Sequence, residues 1–187
     1  MNKQFITFGI AILLVAVVGL SGCFENKPST TTLSAKSLNL TLDDLPQGYV
    51  ECVSSNSSPE IENPIYKPRE SDRKIFALGE ILSENWPKSI DSMIFVFNST
   101  QESRNFFNNH TGNFFTGGSI FEGANNTIGE ESRVIKMWDS GFNEFIAYGC
   151  YFRISSVVVI VLYIYLDYSF TTDLAKIIEQ RIYDALE

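Results

Sequence analysis

Apolar and polar positions alternate with different periods along the chain. Phe5 to Leu20 is a largely apolar stretch of 16 residues, which ends at Leu20-Ser21-Gly22-Cys23. Residues 24–37, FENKPSTTTLSAKS, show no apolar period and read as a polar tether. Patterned structure is expected from Leu38 on. Asp43-Asp44-Leu45-Pro46 predicts a short helical turn stopped by Pro46, with Gly48 turning the chain into a short strand over Tyr49–Val53. A polar, proline-containing stretch follows. Strands are then predicted over Arg73–Leu82 and Ile90–Phe97, the second apolar on both faces. Ser99 precedes Glu102 by three residues, a capping box that starts a helix from Thr100 to near His110 with Phe106 and Phe107 inward.

Gly112, Gly117, Gly118 and Gly123 argue against regular structure in the next stretch. Glu131–Trp138 predicts a strand, with Asp139-Ser140-Gly141 as its turn. Glu144–Arg153 and Val157–Asp167 predict a hairpin around Ile154-Ser155-Ser156. The run VVVIVLYIYL is too short to span a bilayer as a helix and starts β-branched, so a strand buried on both faces is expected. Val158, Ile160, Leu162, Ile164 and Leu166 form its aliphatic face, which should lie against helices. Leu174, Ile177, Ile178, Ile182 and Leu186 recur at helical spacing after Thr171 or Thr172. The expected fold is α+β: an antiparallel sheet of about five to six strands carrying two main helices, with residues 38–187 as its single domain.

The leader fixes the expected compartment. A largely apolar stretch of 16 residues behind Lys3 suits a signal peptide better than a spanning helix. Leu20-Ser21-Gly22-Cys23 looks like a lipobox, in which small residues admit a peptidase and the Cys23 thiol takes a diacylglyceryl group. The segments are then 1–22 as signal peptide and 23–37 as lipidated cysteine and tether. An uncleaved helix anchor is the competing reading, and it also places the rest of the chain outside the cytoplasm. The formal net charge of −8, with no basic patch, argues against nucleic acid as a partner. The expected partners are membrane lipid through Cys23 and an envelope protein or small ligand.

The order of these elements, with DLPQGY early, IGEES before the meander, YFRISSVVVIV as its last hairpin and DLAKIIEQRI at the end, is similar to small archaeal and actinobacterial surface lipoproteins of the PsbP/Mog1-like kind. The resemblance spans roughly residues 38–187. It implies a central antiparallel sheet with helices on its faces and a binding or scaffolding role, and carries over no functional residue.

Candidate chemistry is sparse. His110 is the one histidine and has no HxxE, HxH or CxxC partner spacing. Glu130-Glu131 and Asp43-Asp44 are adjacent acids; on a strand such neighbours point to opposite faces, so surface or capping roles are expected. No phosphate loop or calcium loop is present, and no catalytic set, metal or cofactor is expected. Phe114, Phe115 and Phe121 sit among glycines and are candidates for the rim of an apolar ligand site, or simply plugs of the sheet edge. Sequons begin at Asn39, Asn56, Asn98, Asn109 and Asn125; Pro59 weakens the second, leaving Asn39, Asn98, Asn109 and Asn125 as glycosylation candidates on an exported archaeal-type protein. With Cys23 lipidated, Cys52 and Cys150 are expected to pair as a disulfide, with two buried free thiols as the alternative. The functional expectation is a non-enzymatic, lipid-anchored binding or scaffolding module. A receptor for a small apolar ligand and a carboxylate-based surface hydrolase are the alternatives.

Mass spectrometry of membrane-extracted protein is expected to find residues 1–22 removed and a lipid adduct on Cys23. Cys23→Ser should release or misprocess the chain. Intact Met1 on the extracted protein would contradict this reading.

Overall fold

The computed structural model describes residues 33–52, 67–79, 88–109, 119–124, 127–139, 144–164 and 168–187, all within one unit, Thr32–Glu187. Its strands are β1 (Tyr49–Cys52), β2 (Glu70–Leu78), β3 (Ser89–Val96), β4 (Ser119–Ala124), β5 (Glu131–Asp139), β6 (Glu144–Ile154) and β7 (Val157–Ile164). Its helices are α1 (Ala35–Leu38), α2 (Thr100–Asn109) and α3 (Tyr168–Leu186), with a 3-10 turn at Leu42–Asp44.

The strands form one antiparallel sheet of seven in the order β1-β2-β3-β7-β6-β5-β4. Strand β7 lies in the middle, and Val157 to Leu162 are at most 2% exposed. Alternation then divides the core in two. Val157, Val159, Val161 and Tyr163 face one way, with Phe76, Ile90, Ile94, Val96, Cys150 and Phe152 from neighbouring strands. Leu38 of α1 and Leu174, Ile178 and Ile182 of α3 cover that face. Val158, Ile160 and Leu162 point the other way and pack with Met93, Phe95, Tyr151 and the α2 residues Phe106 and Phe107. The aliphatic face thus lies against a helix, α2, as expected, but it is not the face that carries the long final helix. Both faces of β7 are covered, and the long helix α3 lies over the face that ends in Tyr163.

Local chemistry starts and stops the elements as the sequence suggests. Glu102 N–H donates to Ser99 Oγ at 3.2 Å, while the Glu102 carboxylate accepts from Asn98 N–H at 3.1 Å, one residue beyond the usual reciprocal cap. Asp44 accepts from Thr41 N–H at 2.7 Å, closing the turn before Pro46. The β6–β7 connection is the two-residue turn Ser155-Ser156, with Ser155 at a φ of 50°, a region that a residue with a Cβ seldom occupies.

Four expectations shift. Strand β4 forms where the surrounding glycines argue against regular structure; its pairing with β5, interrupted by a register shift between Glu122 and Ala124, supplies the hydrogen bonds that local propensity does not. Strand β2, Glu70–Leu78, starts ahead of the expected Arg73, residues 80–82 of that expectation lying outside the described ones, and α3 starts at Tyr168, ahead of its threonines. The fold also begins earlier than Leu38. Leu33, Ala35, Leu38 and Leu40 are buried in the core under α3, so the last part of the expected 23–37 tether belongs to the folded unit.

Gly149 marks a close approach of β6 to β7. A Cβ there would press on the Leu162 side chain and lie 2.8 Å from Val161 O. Gly149→Ala is expected to lower stability by about 1–3 kcal/mol through overpacking. A urea unfolding curve reads this directly, and an unchanged midpoint would contradict it.

Candidate functional site

A sheet covered on both sides leaves few places for charge, and several of the fold's buried polar groups gather in two hubs. The first holds the N-terminal segment. Asn39 is fully buried; its Nδ2 donates to Asp72 at 2.8 Å and to Ser92 O at 3.3 Å, and its Oδ1 accepts from Leu40 N–H at 2.9 Å and from Ser92 Oγ. Arg181 of α3 donates to Asn39 O at 2.8 Å and forks onto both oxygens of Asp44 at 2.7 and 2.9 Å. Burial alone would raise the Asp44 pKa. The Thr41 amide, Arg181 and the Thr41 hydroxyl outweigh it and hold this carboxyl below its ordinary range.

The second hub lies where β5 begins and the β6–β7 turn closes. Arg153 is fully buried on the α2 side of the sheet. Its Nη2 donates to Glu130 at 2.6 Å and to Glu131 at 2.8 Å, its Nε to Glu131 at 3.2 Å, and its Nη1 to Ser155 O at 2.8 Å. Arg104 of α2 donates to the same Glu131 oxygen at 3.0 Å. Ser103 Oγ donates to Ser155 O at 2.7 Å, and Glu130 accepts from Ser155 N–H at 3.1 Å. Burial would raise the Glu131 pKa. Hydrogen bonds from Arg153 and then Arg104 outweigh it and bring it below the usual glutamate value. The acids expected on opposite faces therefore share one arginine. Glu130 precedes the strand, so alternation does not apply to it, and its chain is free to turn toward Arg153 beside Glu131.

Gly129 makes this turn possible. Its φ of 64° suits glycine, and an added Cβ would lie 2.7 Å from Arg153 O. Its N–H donates to the Glu179 carboxylate of α3 at 2.6 Å, while Ile128 is buried in the α3-side core. The hub therefore reaches both layers of helices. Chemically it holds position: the guanidinium donates in a fixed fork, and its acids are engaged as hydrogen-bond acceptors. A buried arginine is visible in the sequence as the one charge inside the apolar hairpin YFRISSVVVIV, which is the signal that would have found it.

The expected site residues are scattered. Cys23, His110, Phe114, Phe115, Asn56 and Asn125 lie outside the described residues, as does the side chain of Phe121. Asn98 and Asn109 are exposed at the two ends of α2. Asn39 is corrected: its buried amide is consumed by hydrogen bonds, so the folded chain does not present it for glycosylation. The Cys52–Cys150 bond is also corrected. Both thiols are free. Pairing register sets Cys52 in the row of Ile75, Asp91, Leu162 and Gly149, four strands from β6. That separation is about 19 Å, and Cys150 points to the α3 face while Cys52 shares the opposite face with Ile75. A disulfide needs Cα atoms within about 7 Å. Cys150 is buried beside Thr172, and burial pushes its thiol up to about 11, so it is protonated and unreactive near neutral pH. Among the described residues, no three His, Cys, Asp or Glu side chains gather as a metal site.

No family model matches the chain, so the PsbP/Mog1-like resemblance has no support from that comparison. No curated protein matches it either. Among solved structures the chain is similar to the extracellular domain of PknH from Mycobacterium tuberculosis, with a TM-score of 0.50 and 13% identity over 86% of this chain and 96% of that one. At that identity the likeness concerns the fold, and it is with an actinobacterial extracellular domain that this α+β architecture is shared.

Thiol labelling is expected to modify Cys52 in the native protein and Cys150 only after denaturation, without prior reduction. A Cys150 that resists labelling in denaturant until a reductant is added would contradict the free-thiol geometry.

Proposed function

We propose that the chain is a lipid-anchored, outward-facing binding or scaffolding module of the cell envelope, without catalytic activity of its own. The observation that carries this is the lipobox Leu20-Ser21-Gly22-Cys23 ahead of a folded unit that starts at Thr32. Two acyl chains on Cys23 supply stable membrane attachment where one would not. The fold shared with an extracellular domain supports the outward setting. The use of Asp44, Glu130 and Glu131 as partners of arginines supports a structural rather than an acid–base role for these carboxylates. The likeness to PsbP/Mog1-like lipoproteins and glycan attachment at Asn98, Asn109 and Asn125 belong to the same reading.

Native pull-down from detergent-solubilised envelope, with mass analysis for proteins and small molecules, tests it. The wild-type chain should fractionate with the membrane and bring down a defined partner, and the partner should be lost with Cys23→Ser, which removes the anchor. A chain that stays in the soluble fraction, or one that turns over a substrate, would contradict the reading.

A further inference from the structure

The Arg153 hub joins more elements than a hairpin turn needs. Ser155 O takes hydrogen bonds from Arg153 and from Ser103 of α2, Ser156 O accepts from Phe97 N–H at 2.9 Å, and Glu130 N–H donates to Arg153 O at 2.9 Å. Gly129 carries the connection to α3 through Glu179. One end of the sheet is therefore fastened on its α2 face through Glu130, Glu131 and one buried cation, and on its α3 face through Glu179.

We propose that Arg153, Glu130 and Glu131 form an acid-released latch: with both carboxylates ionised it ties α2, the Ser155-Ser156 turn and residues 127–131 together, and with both protonated it lets that end of the fold open while the central strand stays paired. The asymmetry of exposure underlies the local release. The Arg153 side chain has no exposure, whereas the side chains of Glu130 and Glu131 are 44% and 30% exposed. Protons thus reach the acids without unfolding the core, and they leave a buried guanidinium with only the Ser155 carbonyl as a full-strength acceptor. Other charged groups surround it. Arg104 of α2 loses its partner when Glu131 is neutral, and Glu179 of α3 faces the hub through its hydrogen bond from Gly129 N–H. Arg133, on the same face of β5, is engaged with Asn108 and the Phe107 ring. Strand β7 contributes only the apolar Val158 beside Arg153.

The direction with pH follows from Glu131. Its pKa is lower in the folded chain than the ordinary 4.5. Its contribution is complete above that ordinary value and is lost as pH falls through the lower, folded one. Opening is therefore an acid event.

Amide hydrogen exchange on the folded chain, corrected for intrinsic rates, tests the latch. Between pH 6 and the acid range near pH 4 and below, protection at Gly129, Glu130 and Ser155 should fall about tenfold or more while Val159 keeps its protection. Glu130→Gln combined with Glu131→Gln should give the open pattern already at pH 6, independently of the Asp44–Arg181 pair. If the double variant does not fold, the pH series on the wild type decides. Hub amides that keep their protection, or that lose it together with Val159 as a single unit, would overturn the proposal.

Discussion

The burial of β7 on both faces is the constraint on which the other features rest. A strand with apolar side chains at every position from Val157 to Leu162 must be covered twice, once for each direction its side chains point. At about 1.5–3 kcal/mol for each fully buried aliphatic side chain, leaving either face to solvent would cost an amount comparable with a domain's net stability. The chain answers with α3 and α1 on one face and α2 on the other. Antiparallel β3 and β6 flank β7 and satisfy its backbone. The two meanders, β1-β2-β3 and β4-β5-β6-β7, meet at this strand.

Among the described residues, the buried polar side chains are met by built-in partners, with Ser132 Oγ as the exception. Asn39 closes the N-terminal segment over β2 and β3 because its amide satisfies both a side chain and a backbone carbonyl. Asp91, mostly buried on the α2-side face, is met by a two-pronged Arg73 from the adjacent strand. Arg153 is matched by two acids and a carbonyl. Each pairing fixes one segment against the sheet, which gives the hubs a structural meaning before any functional one. The exposed parts of the second hub give it a means of responding to its surroundings.

The strong patterns were legible in the sequence. The hairpin around Ser155-Ser156, the two-sided strand after it, the capped helix at Ser99 and the amphipathic final helix all follow from period and capping. What was not legible depended on pairing across long distances. Strand β4 has weak local preference and exists through β5. The segment before Leu38 looks like linker because its apolar residues, Leu33 and Ala35, are too few to show a period, although both are buried. Cys52 and Cys150 invited a bond because they were the remaining thiols, while strand order and side-chain direction, which forbid it, are properties of the sheet alone. Asn39 read as an exposed sequon for the same reason: a motif of three residues carries no information about Asp72 or Ser92. Glu130 and Glu131 were separated by an alternation rule that applies only inside a strand.

The central claim, that two-sided burial of β7 organises the fold, is tested most directly by native-state hydrogen exchange read strand by strand. The account predicts that the Val159 and Val161 amides exchange only through global unfolding, with an opening free energy equal to that from urea denaturation, and that β1 at the sheet edge exchanges through smaller openings. Exchange of the β7 amides through an opening smaller than the global one, or protection of β1 equal to theirs, would contradict it.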